Sequence, residues 1–396
     1  MISYKKRKRA EYAAMYSLLI KNGQLFDPDS GLSQRGDIAL DVRRIAAVGN
    51  VETCYAEATI DAAGCIVTPG LVDMHAHLYP LLPNGISAEA VCFSTGVTTA
   101  VDAGSSGCAS YPYFRPFIHT SQLRIKAFLN VSTAGICAHP AHEDVDPAKF
   151  DAERIRDVFD ACPEELLGLK LRTSRDIVGD YGLTSLERAL EIADDIGVPL
   201  MLHPTDPPCT MARILDMLRP GDIMSHAYHN TGETIIDNSG HVCEAALRAR
   251  ERGVIFDVAN DRRHFGFSTA RAALADGFLP DVISSDLIGP DVFKHPTVFS
   301  LPMLASRYLA LGLSLEQILP RMTSIPARLM GLGGKIAALR QGYEADIAVF
   351  RMINRKAEFG DRAYGDPQLE CIYGDRLLKP MMTVKAGRIV FRDIEI

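Results

Sequence analysis

Short apolar segments that stop at a histidine, a lysine or an aspartate recur through the middle of this chain, and helical spacing fills the intervals between them. The segments 66–77, 97–103, 125–132, 167–172, 199–203, 222–226, 253–258 and 282–286 each read as a buried strand. Between two of them, Leu186, Ala189, Leu190, Ala193 and Ile196 repeat at helical spacing, and Gly197 follows as a stop signal. Eight strands alternating with helices suit an α/β fold, a closed (β/α)8 TIM barrel, better than an open doubly wound sheet. No glycine-rich phosphate loop follows the first strand, which further disfavours a dinucleotide fold.

The flanks have a different rhythm. Leu18 to Gly23, Asp37 to Leu40 and Arg44 to Val48 are short alternating stretches between turn residues, and Ala348 to Phe350 and Met382 to Phe391 resemble them at the other end. The expected organisation is therefore an extension over 1–14 expected to be disordered, a small β-sandwich domain from 15–66 plus 340–396, and a catalytic barrel over 67–339. With 396 residues, 47% of them hydrophobic, the chain can bury a core of that size.

Charge and cysteine usage narrow the function classes. A net charge of −7 gives no reason to expect nucleic acid or an anionic membrane as partner, which leaves a small-molecule substrate; a homo-oligomer is left open. Nine cysteines without a Cys-x-x-Cys pair argue against a zinc ribbon or thioredoxin-like centre and fit a reducing, cytoplasmic setting. Several, such as Cys92 and Cys243, sit in helix-like stretches and read as small buried groups. No apolar run approaches the roughly 20 residues needed to cross a bilayer. The basic run Lys5 to Arg9 is not followed by a secretory cleavage pattern.

The strand ends carry the chemistry. His75 and His77 alternate with one residue between them, so both imidazoles face the same way and can chelate one divalent ion. Lys170 interrupts an apolar segment, where an ammonium is costly to desolvate; either an ion pair or conversion to an anionic carbamate would account for it. His203, His226 and Asp286 close three further segments. In a parallel barrel these positions all lie at the carboxyl ends of strands, where such folds place their reactive groups.

The run Thr68-Pro69-Gly70-Leu71-Val72-Asp73-Met74-His75-Ala76-His77, with Pro326 to Leu332 and Gly342 to Phe350 near the other end, resembles the amidohydrolase superfamily, and the likeness extends from about Met15 onward. It is most similar to the branch holding dihydroorotase-like and deacetylase sequences. That resemblance implies two divalent metal ions, Zn2+ before manganese, iron or cobalt. His75, His77 and Asp286 would hold one and His203 and His226 the other. Carbon dioxide bound as N6-carboxylysine at Lys170 would bridge them. It also implies hydrolysis by hydroxide, with Asp286 as proton shuttle, of an amide or ester bond in a small carboxylate-bearing substrate. Deacetylation is the expected reaction, with cyclic amide or imide opening, as in dihydroorotase or hydantoinase, as the alternative. Lys170 argues against the mononuclear purine and pyrimidine deaminases, and a metal-free scaffold is the alternative from another class. Arg172, Tyr79, His229, Asn230 and Asn260 are candidate substrate contacts, with Arg172 either gripping a carboxylate or locked in an ion pair, and Tyr79 otherwise packing. His139 and His142 lie on a loop that could reach the site. Where related deacetylases have a Gly-His-Gly type segment, this chain has Ala259-Asn260-Asp261 followed by Arg262-Arg263-His264.

Overall fold

The computed structural model describes residues 16–51, 55–138 and 143–396; the segment 1–14 and the loop histidines His139 and His142 lie outside them. The amino-terminal strands are β1 (Tyr16–Asp27), β2 (Leu32–Asp41), β3 (Arg44–Gly49), β4 (Ala56–Asp61) and β5 (Ile66–Pro69). The middle of the chain supplies β6 (Leu71–Ala76), β7 (Val97–Gly107), β8 (Arg124–Asn130), β9 (Leu166–Arg172), β10 (Leu200–His203), β11 (Ile223–Met224) and β12 (Ile255–Phe256). The end supplies β13 (Ile347–Gly360), β14 (Cys371–Lys385) and β15 (Arg388–Arg392).

These strands form two sheets. One is mixed, in the order β15-β14-β13-β5-β1-β2-β3 with β4 beside β1, and so joins both ends of the chain. The other is parallel and runs from β6 to β12 in sequence order. Helices lie between its strands; one, Thr184–Ile196, ends at Gly197 in the left-handed conformation that a glycine adopts without steric cost. The parallel sheet curls, because Val72, Val101, Phe128, Met201 and Ile223, from β6, β7, β8, β10 and β11, meet Val282 in one apolar cluster. Ala327, Met330 and Ile336 belong to the same cluster. Among the described residues no helix is long and apolar enough to cross a membrane.

Several expectations need correction. The run 66–77 is not one strand: it breaks at Gly70, with β5 in the mixed sheet and β6 in the parallel one. Gly70 permits the crossing because a β-carbon there would lie 2.2 Å from the Thr98 hydroxyl. The run 382–391 is two strands, since Ala386 (φ 48°) and Gly387 (φ 79°) make a tight turn between β14 and β15. The segment 282–286 is not a regular strand. It makes isolated parallel bridges, Asp257 to Val282 on one side and Ala76 to Leu287 on the other. Cys92 is buried as expected, but Cys243 is only half-buried, at the loop edge that starts the helix Glu244–Arg252.

Candidate metal centre and cavity

The parallel register brings the strand ends together. Lys170 pairs with Met201 and Arg172 with His203, so β9 and β10 finish side by side. Segment 285–287 is tied to β6: Ser285 donates to the Asp73 carboxylate, the Asp286 amide to the His75 carbonyl at 2.7 Å, and the His77 amide to the Leu287 carbonyl at 3.1 Å. Asp102 on β7 accepts from the amides of Leu78, Tyr79 and Ser105 and so fixes the turn after His77.

All six predicted ligands meet. His75 Nε2 and His77 Nε2 lie 3.3 and 3.1 Å from Asp286 Oδ1, and His226 Nε2 lies 3.8 Å from Asp286 Oδ2. The His203 and His226 rings are 4.0 Å apart between centroids, and Lys170 Nζ is 3.3 Å from His75 Nε2. Outer nitrogens are held from behind: His75 Nδ1 by Asp257 at 3.2 Å, His77 Nδ1 by Ser105 at 2.8 Å, and His226 Nδ1 by the Ala259 carbonyl at 2.9 Å. Such bonds fix tautomer and ring orientation, leaving each Nε2 turned to the centre as a metal requires. His226 Nε2 is buried with no hydrogen-bond partner among the described residues. One ligand atom each from His75, His77 and Asp286 falls within a 4.8 Å span, so this trio could hold an ion. Donor types and geometry therefore fit a divalent metal.

Electrostatics point the same way. Burial pushes the Lys170 ammonium down to about 8, against the upward pull of Asp286 and Asp257. No carboxylate lies within ion-pair distance of Nζ among the described residues, so a direct ion pair does not account for this lysine. Gly104 faces its stem, and a β-carbon there would lie 2.5 Å from Lys170 Cβ and Cγ. Burial holds His203 and His226 well below the usual imidazole range, which keeps them neutral and able to donate a lone pair. Burial raises the Asp286 carboxyl, but neighbouring His75, His77 and His226 outweigh it and hold the group well below the carboxylate range.

A cavity of about 480 Å³ opens over this cluster, lined by His75, His77, Lys170, His203 and Asp286 with Asn84, Ile136, Glu143, Arg172, Asp261, Arg263 and His264. Of the candidate substrate contacts, Arg172 lines it, with Nε donating to Glu143 at 2.5 Å. The others are not among the residues that line it. Tyr79 is buried edge-on to Phe114, its hydroxyl 3.2 Å from the Ser110 carbonyl. Asn260 is fully buried and receives bonds from Arg307 and the Tyr308 hydroxyl. Asn230 accepts from Arg362 at 3.2 Å. His229 is fully buried, and burial pushes its pKa down to about 4.

Four residues escaped the strand-end pattern. Asp257 and Ser105 act behind the histidines, where spacing alone does not distinguish them from ordinary polar residues. Glu143 comes from the loop beyond β8, and nothing local to it marks it. His264 places its ring 4.5 Å from His203 and 4.8 Å from His226; the unusual Arg262-Arg263-His264 run was its signal.

The Amidohydrolase family model matches residues 66–390. A deacetylase of Agrobacterium fabrum is 33% identical over 327 residues, which cover 80% of this chain and 78% of the relative. Among solved structures, an adenine deaminase superposes with a TM-score of 0.86 at 26% identity, covering 96% of this chain and 100% of that one. A dihydroorotase superposes at 0.85 with 30% identity, covering 95% and 98%. The chain belongs to the Amidohydrolase family and is a hydrolase.

Proposed function

We infer that this hydrolase works with a pair of divalent ions, Zn2+ foremost, and cleaves an amide or ester bond of a small carboxylate-bearing molecule by a deacetylase-like reaction. His75, His77 and Asp286 would hold one ion, His203 and His226 the other, and Lys170 as its carbamate would join them. Segment 282–287, bridged to both neighbours, would complete a closed (β/α)8 barrel. The observation that carries this reading is Lys170: a buried amine in the middle of the imidazoles, without an ion-pair partner among the described residues, with space cleared by Gly104. With a pKa of about 8, roughly a tenth of it is neutral at pH 7 and can attack carbon dioxide, releasing one proton as the carbamate forms.

Bound here, the two ions would lower the pKa of a shared water towards about 7 and polarise the scissile carbonyl. Asp286, kept ionised, would take a proton at Oδ2, the oxygen turned from His75 and His77, and pass it to the leaving nitrogen or oxygen. His203 and His226, held neutral by burial, carry no charge of their own to repel the cations. The 33% identical deacetylase favours acyl removal, and the 30% identical dihydroorotase supports ring opening as the second reading.

Metal analysis with a screen of N-acyl and O-acyl acids tests the proposal. The expected result is two metals per chain, acetate release, and loss of both metal and turnover in Lys170→Ala. Ring opening without acetate release selects the second reading, and ammonia release from adenine would replace both. A protein that takes up none of zinc, manganese, iron or cobalt would refute the metal-dependent reading.

A further inference from the structure

We propose that Arg263, rather than Arg172, captures the anionic end of the substrate; this rests on reading the cavity as the substrate pocket. Both arginines line it, but one is tightly paired and the other only loosely. Arg172 donates through Nε at 2.5 Å to Glu143, whose side chain is fully buried, so its charge already has a partner. Arg263 keeps 61% of its side chain exposed, and its nearest carboxylate, Asp261, is 4.0 Å away. That carboxylate also lies 3.4 Å from His264 Nε2.

The loop holds Arg263 in place from both sides. Arg262 before it turns away to pair with buried Asp291. After it, Phe265 is fully buried beneath the Arg307 guanidinium at 4.0 Å, and the Gly266 amide donates to the Tyr228 carbonyl at 2.9 Å. A side chain free at its tip, on a backbone anchored before and after, can offer a planar fork to a carboxylate at small entropic cost.

Binding of 4-oxopentanoate, a ketone acid with no scissile bond, and of its uncharged N,N-dimethylamide tests this by calorimetry on the zinc-loaded protein. The native chain should bind the acid roughly 10-fold or more tighter than the amide, the usual scale of a charge-assisted pair. Arg263→Gln should erase that preference and leave amide binding unchanged; Arg172→Gln should retain the preference. A preference absent from the native chain, surviving in Arg263→Gln, or lost in Arg172→Gln overturns the proposal. Should Arg172→Gln not fold, the Arg263→Gln result decides alone. Preference that depends on Arg263 in a protein that hydrolyses no amide or ester would refute the proposed acyl-cleaving reaction and leave the anion site standing.

Discussion

Replacing Lys170 with methionine should stabilise the metal-stripped protein while abolishing its activity. Burial lowers this amine from 10.5 to about 8. At about 1.36 kcal/mol per tenfold change, the fall corresponds to about 3 kcal/mol of cost in the folded state. The sign follows from proton binding: between pH 8 and 10.5 the unfolded chain holds the proton more tightly, so stability rises with pH there, and below about 8 the whole penalty applies. Methionine matches the lysine stem in length and flexibility, so repacking should return about 1 kcal/mol of that gain. At pH 7 the variant should gain about 2 kcal/mol, and above pH 10.5, where the penalty is gone, the repacking loss should leave it about 1 kcal/mol less stable. The chain has no tryptophan, so unfolding in urea is best followed by far-ultraviolet circular dichroism, with midpoints compared at unchanged slope. Zinc and bicarbonate should invert the order, because only the native chain gains from ligand binding to the folded state. A methionine variant less stable by about 3 kcal/mol at pH 7 without metal would mean that a buried ion pair had been broken, and the reasoning would fail.

Gly104→Ala places a β-carbon 2.5 Å from the Lys170 stem at a φ of 81°, so it should cost about 2 kcal/mol or more in thermal unfolding and lower metal content. Asp257→Asn weakens the bond that orients His75 and should reduce zinc affinity about 10- to 100-fold in a competition titration with a chelator. Decarboxylated, metal-free protein should regain activity on adding zinc and bicarbonate at an initial rate, per dissolved carbon dioxide, that rises tenfold per pH unit below about 8 and levels off above it. A flat profile from pH 6 to 9 would mean that the neutral amine does not limit recovery. Glu143→Gln leaves Arg172 without its counter-charge and should cost about 2 kcal/mol by urea unfolding, less than a fully buried pair because Arg172 keeps 30% of its side chain exposed.

The parts of the site that were legible from sequence are those fixed by strand periodicity. His75 and His77 share a face because a strand alternates, and Lys170 stands out because a lysine in an apolar run needs a chemical reason. Arg172 followed from the same face logic, although its tie to Glu143 did not, because that partner arrives from a loop after β8. Asn260, Asn230 and His229 were grouped with the site by their position after strand ends. Yet a residue just past a strand can turn inward, and Asn260 does so to satisfy Arg307 and Tyr308.

Strand boundaries failed where site residues succeeded, and one cause accounts for both. His226 (φ 57°), Ala259 (φ 41°) and Asp286 (φ 52°) adopt left-handed backbone without being glycine. Such a residue costs of order 1–3 kcal/mol, which surrounding structure must offset. That conformation is uncommon outside glycine, even for histidine and aspartate, so 222–226, 253–258 and 282–286 read as full strands when the ladder in fact stops or breaks early. Each reversal also aims a polar group inward: His226 and Asp286 put their side chains into the cluster, and Ala259 turns its carbonyl onto His226 Nδ1 at 2.9 Å. A left-handed residue at the end of an extended segment redirects its side chain, and at 226 and 286 both side chains enter the cluster, 3.8 Å apart. The shortened strands and the assembled centre are therefore the same structural fact, and a glycine at Ala259, while relieving strain, would loosen the support behind His226.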